Sequence, residues 1–422
     1  MQNTGPTNGK GKPILVIGGG IAGITTAIEL AEAGCEVVLA EKSAWLGGRV
    51  ARLNHYFPKM CPPACGLEIN FQRLKKNPHV KVHTLAEVES IAGAPGAFEV
   101  VLKLNPRYVT EACTMCDECT QACPMEVTDE FNYGLSKTKA IHLIRGTAFP
   151  GQYAIERSAC PEDCHECADA CRYRAIELQQ GPKQLTLQVA AVVVAAGWTP
   201  YDATKITNLG YGKFKNVVTN VALERLAVPS GPTQGKVLRP SDAKEPRSVA
   251  FVQCAGSRDE NHLPYCSAVC CSASLKHANY IRTQYPEAQV TIFYIDLRTP
   301  GQLEEFGAAV KAMGGIELIK GKVGKIEEDP TTCDLLVTAD DVLGGEKITC
   351  RFDLVVLATG MVPQSTGLPA AVSVDEFGFV TGSSGIYAAG CVKRPAEVSA
   401  TVRDATGAAL KALQVVAGAR NE

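Results

Sequence analysis

Residues 13–41 read P-I-L-V-I-G-G-G-I-A-G-I-T-T-A-I-E-L-A-E-A-G-C-E-V-V-L-A-E, and this stretch decides the fold. Residues 13–17 form an apolar run rich in β-branched side chains and predict a buried strand. A helical pattern follows over 24–33 and stops at Gly34. Residues 35–41 predict a second strand, which completes a βαβ unit. Between strand and helix lies Gly18-x-Gly20-x-x-Gly23. Gly18 permits the tight turn, Gly20 lets backbone approach a pyrophosphate, and Gly23 lets helix and strand pack closely. The helix N-terminus offers unpaired N–H groups to phosphates. Glu41 ends the second strand about twenty residues on, where a carboxylate would hold a ribose hydroxyl. The glycine pattern alone is weak and would suit any glycine-rich turn. With strand, helix and acid all in place it predicts a dinucleotide site.

FAD rather than NAD is argued by L-G-G-R at 46–49, which resembles the pyrophosphate loop of flavoproteins with two dinucleotide-binding domains. A-T-G at 358–360 and G-I-Y-A-A-G-C at 385–391 resemble two further FAD signatures of that superfamily. The expected cofactor contacts are Gly18, Gly20, Ile21, Ala22, Gly23, Glu41, Lys42, Gly47, Gly48, Arg49, Val88, Ala196, Gly197, Gly360, Gly390 and Cys391. In most members an acid follows the last glycine and holds the ribityl chain. Here Cys391 stands in its place, and the following helix is expected to aim its positive end at the flavin.

Between 113 and 171 eight cysteines arrive in two groups. Cys113, Cys116, Cys119 and Cys123 follow the C-x2-C-x2-C-x3-C-P spacing of bacterial ferredoxins. Cys160, Cys164, Cys167 and Cys171 form the second group, with one extra residue between the first two and Arg172 in place of proline. In two-cluster ferredoxins the fourth cysteine of each group serves the other cluster. That swap predicts Cys113, Cys116, Cys119 and Cys171 on one 4Fe-4S cube, and Cys160, Cys164, Cys167 and Cys123 on a second. A structural zinc site or free thiols are the competing readings. Cys254, Cys266, Cys270 and Cys271 form a third group. It stands where a second dinucleotide domain would carry its glycine turn, so a nicotinamide fingerprint is absent. A cluster there and unremarkable buried cysteines are both open. Cys61 and Cys65 match no dithiol motif.

The chain of 422 residues has room for two or three domains. Its 46% hydrophobic and 20% charged residues describe an ordinary globular protein. A net charge of −2 gives no case for nucleic acid or an anionic membrane surface. Eighteen cysteines suggest a disulfide framework, but that belongs to short secreted chains, and residues 1–12 lack the apolar core of a signal peptide. The longest apolar stretch, 189–198, is too short to span a bilayer. A cytoplasmic protein is expected, touching a membrane only through a partner. No Ser/His/Asp or paired-carboxylate pattern predicts a catalytic side chain.

Strand and helix patterns resume at 189–197, 248–253, 272–284, 290–295, 354–360, 386–390 and 396–416. The expected division is a disordered head over 1–11, a flavin domain over 12–107, and an inserted two-cluster module over 108–182. A flavin-domain continuation and linker would cover 183–245, a second Rossmann-like domain 246–345, and the last part of the flavin domain 346–422. The fold class is therefore α/β, with two Rossmann-like domains of the thioredoxin-reductase flavoprotein type and a ferredoxin-like insert.

F-V-Q-C-A-G-S-R-D-E at 251–260, P-Y-C-S-A-V-C-C at 264–271, K-H-A at 276–278 and V-T-I-F-Y-I-D-L-R at 290–298 together resemble the A subunit of heterodisulfide reductase. That resemblance implies FAD, two 4Fe-4S clusters in the insert, and a third at Cys254, Cys266, Cys270 and Cys271. The compact length is most similar to the A subunit of the quinone-interacting membrane-bound oxidoreductase complex of sulfate reducers. It implies two partners, one a homologous flavin and iron–sulfur protein and one a quinone-reactive membrane protein, and electron delivery from menaquinol towards adenylylsulfate reductase. A bifurcating subunit with a soluble donor and a redox-silent scaffold are the alternatives.

Overall fold

The structure is a computed structural model that describes residues 11–144 and 148–418. The head expected over 1–11 therefore lies, Gly11 apart, outside the described residues. The opening βαβ unit forms as expected. Strands Ile14–Ile17 and Val37–Glu41 flank the helix Ile21–Glu32, which starts three residues earlier than the apolar pattern indicated. They belong to a five-stranded parallel sheet in the order Ile386–Ala388, Ala191–Val194, Ile14–Ile17, Val37–Glu41, Val80–Thr84. Its central strands are apolar throughout because helices Ile21–Glu32 and Val398–Gly418 cover one face and a small antiparallel sheet covers the other.

That small sheet joins Ala86–Ala94, Ala97–Leu104 and Lys183–Val189. Residues 80–94 form two strands, not one. Leu85 sits at φ +55° and turns the chain out of the parallel sheet, so Val80–Thr84 and Ala86–Ala94 serve different layers. Lys183 pairs directly with Leu104. The cysteine-rich module thus leaves and re-enters between two neighbouring strand ends, which is why an insertion of this size leaves the flavin-type domain intact.

The second domain departs from its expected limits. Its parallel sheet runs Val217–Thr219, Leu354–Thr359, Ser248–Ala255, Gln289–Tyr294, Ile316–Lys320. Leu354–Thr359, expected in the last part of the flavin domain, lies between two strands of this sheet and is no more than 2% exposed at any residue. Val217–Thr219 and the helix Asn220–Ala227 also belong here, although the sequence places them in a linker. Three residues are too short for a strand pattern. The helix signal was present, since Thr219 caps it by accepting the Ala222 N–H at 3.3 Å. The chain crosses between the domains twice, and Trp198–Pro200 pairs with Met361–Pro363 at the crossing.

One buried carboxylate ties these parts together. Glu224, on Asn220–Ala227, accepts from the Asn54 N–H at 2.9 Å and from His277 Nε2 at 2.6 Å, and pairs with Lys276. Lys276 also donates to His55 O at 2.8 Å. Burial opposes the charge on Glu224, yet Lys276 and His277 more than cancel that and hold its carboxyl down to about 2. Burial lowers the pKa of His277, and the Glu224 charge opposes that shift.

Two outcomes follow from this packing. A Cβ added at Gly23 would stand 1.7 Å from the Gly18 carbonyl oxygen. Gly23→Ala is therefore expected to lower stability by about 3 kcal/mol, read as a lower thermal midpoint; an unchanged midpoint would mean that helix and strand are not in contact. Glu224→Ala strands a buried lysine and is expected to cost about 3–5 kcal/mol. Because the native carboxyl titrates below its ordinary value, this contribution is present above pH 4.5 and lost as pH falls towards 2. Wild-type and variant melting curves should converge over that window.

Candidate functional site

The first glycine loop is built by close backbone approach. Gly18 has φ +106°, and a Cβ there would meet Ala195 O at 2.4 Å and the Ala196 Cα at 3.0 Å. Gly20 pairs with Gly47 as an isolated bridge, and Gly47 N–H donates to Gly19 O at 2.8 Å. A Cβ on Gly48 would come within 2.9 Å of Gly20 Cα. A Cβ on Gly390 would reach the Ala22 side chain at 2.9 Å. The loops at 18–20, 47–48, 195–197 and 390–391 therefore converge on the N-terminus of Ile21–Glu32. Side chains would fill this cradle at several points, and the chain instead supplies glycine. Glu41 stands at its rim and accepts from the Gly19 N–H at 2.5 Å and the Ser43 N–H at 2.7 Å. Backbone amides and a rim carboxylate suit a dinucleotide pyrophosphate and ribose.

Four of the expected contacts have the following neighbours. Gly360 packs against Ser257, Leu263 and Ser267 of the third cysteine loop, because its strand belongs to the second domain. Lys42 is exposed and pairs with Glu87 at 3.1 Å. Val88 sits in the small antiparallel sheet. Arg49 donates through Nε to Trp198 O and through Nη1 to the Tyr133 hydroxyl at 2.9 Å, so two of its three nitrogens are committed at the edge of the insert.

The Gly390–Cys391 corner also differs from expectation. The Cys391 thiol is buried and donates to Ala396 O at 3.4 Å, and burial pushes its pKa up. It is a neutral group here, no substitute for an acid. The nearby carboxylate is Asp404, which accepts from the Gly390 N–H at 2.8 Å and pairs with Lys393 at 2.7 Å. Asp404 lies fourteen residues beyond Gly390 on the last helix, with no motif to mark it. The first amides of that helix are taken by Glu397, which accepts from the Ser399 and Ala400 N–H groups.

In the insert, two short helices, Glu118–Ala122 and Glu166–Asp169, pack together and bury Cys119 and Cys167. The chain ends of the module are pinned by the Val109–Ile176 bridge. Two hollows result. Cys113, Cys116, Cys119 and Cys171 line the first. Cys123, Cys160, Cys164 and Cys167 line the second. Ile141 lies between them and lines both. Each fourth cysteine has crossed to the partner group, the arrangement the ferredoxin spacing predicts.

A tetrahedral zinc ion, with Zn–S about 2.3 Å, needs sulfurs about 3.8 Å apart. Among the described residues no three Cys, His, Asp or Glu side chains gather closely enough to hold one metal ion. Each hollow offers four thiols, the number that a tetrahedral zinc ion or a 4Fe-4S cube takes. Burial pushes the Cys119 and Cys167 thiols up to about 11, so each must release a proton on metallation. The Ala175 N–H donates to Cys171 Sγ at 3.3 Å, a contact of the kind that raises cluster potentials.

The third cysteine group occupies the C-terminal edge of the second parallel sheet, the place where open α/β sheets bind ligands. Cys254 has φ +56° beside a bulge, and Cys270 and Cys271 open the helix Cys270–Gln284. Burial raises the pKa of all three, and the charges of neighbouring thiols add to it. The intervening loop is braced by Ser257 Oγ to Ser267 Oγ at 2.9 Å and by Tyr265 to Met361 O at 2.9 Å. Arg258 lies beside Cys254 and pairs with Asp296 at 2.9 Å.

A family profile described as FAD dependent oxidoreductase matches residues 13–57, the βαβ unit and its glycine loops. An iron-sulfur A subunit of CoB–CoM heterodisulfide reductase from Methanopyrus kandleri is 40% identical over 96% of this chain and 64% of its own length. The A subunit of the H(2):CoB-CoM heterodisulfide,ferredoxin reductase of Methanothermobacter thermautotrophicus is 36% identical over 94% of this chain and 63% of its own. The chain thus spans somewhat less than two thirds of these curated relatives. Among solved structures, Lactococcus lactis thioredoxin reductase superposes with a TM-score of 0.53 at 16% identity, covering 96% of this chain and 99% of that one. T. acidophilum thioredoxin reductase gives 0.51 at 16%, covering 98% and 100%. These two confirm the fold. No helix among the described residues is long and apolar enough to cross a membrane. The chain has a thioredoxin-reductase-type flavoprotein fold, and over almost all of its length it is similar to the A subunits of heterodisulfide reductases.

Proposed function

We propose that this chain is an electron-transfer subunit that holds FAD in the glycine cradle and three 4Fe-4S clusters, two in the insert and one at Cys254, Cys266, Cys270 and Cys271. The observation that carries the reading is the sorting of eight insert cysteines around two hollows separated by Ile141. FAD, when bound, supplies the one centre that exchanges electrons both in pairs and singly, while thiolate-held clusters pass single electrons. The chain's own residues hold and space these groups. The amides of Gly19 to Gly23 would face the phosphates, and Glu41 would turn from Gly19 and Ser43 to the ribose. The apolar walls of Val109, Ile141, Tyr153 and Ile176 would shield the first cube from water.

The second parallel-sheet domain carries cysteines in place of a glycine fingerprint, which argues against direct use of NAD(P)H. The partner side of the proposal rests on the motif resemblance. On that reading the chain would work, with a homologous flavin and iron–sulfur protein, between menaquinol at a membrane partner and a cytoplasmic acceptor, adenylylsulfate reductase in sulfate respiration. The chain would then be cytoplasmic and held at the membrane by its partner. The relative named as a heterodisulfide,ferredoxin reductase favours a second reading, a bifurcating subunit with a soluble donor.

Anaerobic purification with copurifying subunits tests both. FAD with about twelve irons per chain and a haem-bearing membrane subunit is the expected result. A soluble hydrogenase or dehydrogenase partner would select the second reading, and iron near eight would remove the cluster at Cys270–Cys271. The ligand swap has its own test. Cys171→Ser should abolish the same low-temperature EPR signal as Cys116→Ser, whereas Cys123→Ser should abolish the signal lost in Cys164→Ser. Pairing of Cys171 with Cys164 instead would overturn the assignment.

A further inference from the structure

Three arginines and three aromatic rings form one alternating stack where the insert meets the flavin loop. Arg49 lies 5.0 Å from the Trp198 ring centre and 5.7 Å from that of Tyr133. Arg52 lies 5.0 Å from Tyr133 and 5.3 Å from Phe131. Arg225 lies 4.7 Å from Phe131. All five distances are within cation–π range. Five of the six residues come from three parts of the molecule: the loop after the flavin-type glycine cradle, the insert, and the helix Asn220–Ala227 of the second domain. Trp198 adds the strand that crosses between domains.

The hydrogen bonds of the stack run to neutral acceptors. Arg52 donates to Glu130 O at 2.9 Å, and Arg225 donates to Asn132 Oδ1 at 2.7 Å and Arg52 O at 3.1 Å. The insert side is stiff. Asp129 accepts from the Asn132 side chain at 2.7 Å and the Ser136 hydroxyl at 3.1 Å, and Tyr133 is held at φ +54°. This presents Phe131 and Tyr133, two residues apart, both within reach of the Arg52 guanidinium. The braced turn is the tip of a hairpin, Glu126–Thr128 against Lys137–Lys139. At the base of that hairpin, Met125 O accepts from the Ala140 N–H at 3.1 Å and lies 3.6 Å from Cys123 Sγ. The hairpin therefore runs from a cysteine of the second hollow to the stack on the flavin loop.

We propose that Arg52 is a positioning residue for electron exchange between the flavin and the insert. Held against Phe131 and Tyr133, it fixes the hairpin tip on the flavin loop and so sets the distance across which electrons pass. This rests on the proposed relay function. A planar guanidinium stacks on both rings at once, which a lysine ammonium does not. The role therefore belongs to the shape of Arg52 rather than to its charge.

The test uses the complete protein loaded with FAD and iron, as wild type, Arg52→Lys and Arg52→Gln. Flash photoreduction of the flavin is followed by the bleaching of iron–sulfur absorbance, with flavin and iron contents and redox potentials measured in parallel. Both variants should keep wild-type cofactor content and potentials, transfer electrons about tenfold more slowly because the centres are misplaced, and lose amide-exchange protection over residues 126–139. Wild-type rates in both variants would overturn the proposal. So would recovery of the rate in Arg52→Lys together with a shifted potential in Arg52→Gln, since charge would then be the cause. Phe131→Leu removes the same contact from the insert side and decides the matter if an arginine variant does not fold. Wild-type protein that passes no electrons from flavin to iron would instead defeat the relay reading, and the positioning role with it.

Discussion

The carboxylate of Glu224 is the constraint on which the arrangement of the parts depends. A buried charge is tolerated only when every lone pair is answered, and here the answers come from separate places. Asn54 supplies a backbone N–H from the flavin-type domain, and Lys276 and His277 come from the helix that begins at Cys270. The next residue, Arg225, turns the other way, to Asn132 in the insert and Arg52 in the flavin loop. Two consecutive side chains of one short helix therefore fix two interfaces. Apolar contact alone would allow the domains to slide. A desolvated ion pair with directional partners has one low-energy placement, so its value is geometric more than energetic.

This explains what was legible beforehand. The βαβ unit could be read because its information is local: apolar runs, glycines and one acid lie within thirty residues of one another. The sorting of the insert cysteines could be read for the same reason, since ferredoxin spacing carries its own rule for which sulfur crosses over. The domain limits could not. Leu354–Thr359 looks like any buried strand, and nothing in L-V-V-L-A-T says which of two parallel sheets it enters. Its place is set by Val217–Thr219 and Ser248–Ala255, which are far away in sequence. Asp404 was missed because a carboxylate two turns into a helix has no motif, and Arg49 was assigned wholly to a pyrophosphate because its aromatic neighbours come from segments 84 and 149 residues away.

The hollows of the insert show how local and distant information combine. Spacing determines which cysteines can share a centre, but the apolar walls that make each hollow come from Val109, Ile141, Tyr153 and Ile176, spread across the module. The hairpin bearing Phe131 and Tyr133 then joins that module to the flavin loop through stacked arginines. A module inserted between paired residues Leu104 and Lys183 has two covalent tethers at one point and would otherwise pivot about them. The stack and the Arg225–Asn132 bond act far from that pivot in sequence and remove the freedom.

The second domain carries the same logic to its own binding edge. The loop between the first strand of a Rossmann-type unit and its helix serves phosphates because backbone amides converge there and the helix N-terminus is positive. Those features favour any anionic occupant. Here Cys254, Cys266, Cys270 and Cys271 stand at that edge in place of the glycines, and the topology is kept. The backbone records the change. Cys254 takes φ +56°, a conformation that glycine would adopt without cost and that a cysteine adopts only under constraint. The surrounding serine and tyrosine hydrogen bonds supply that constraint by tying the loop to Met361 and so to the interdomain crossing. In this fold a nucleotide edge and a cysteine edge are alternative fillings of one electropositive corner.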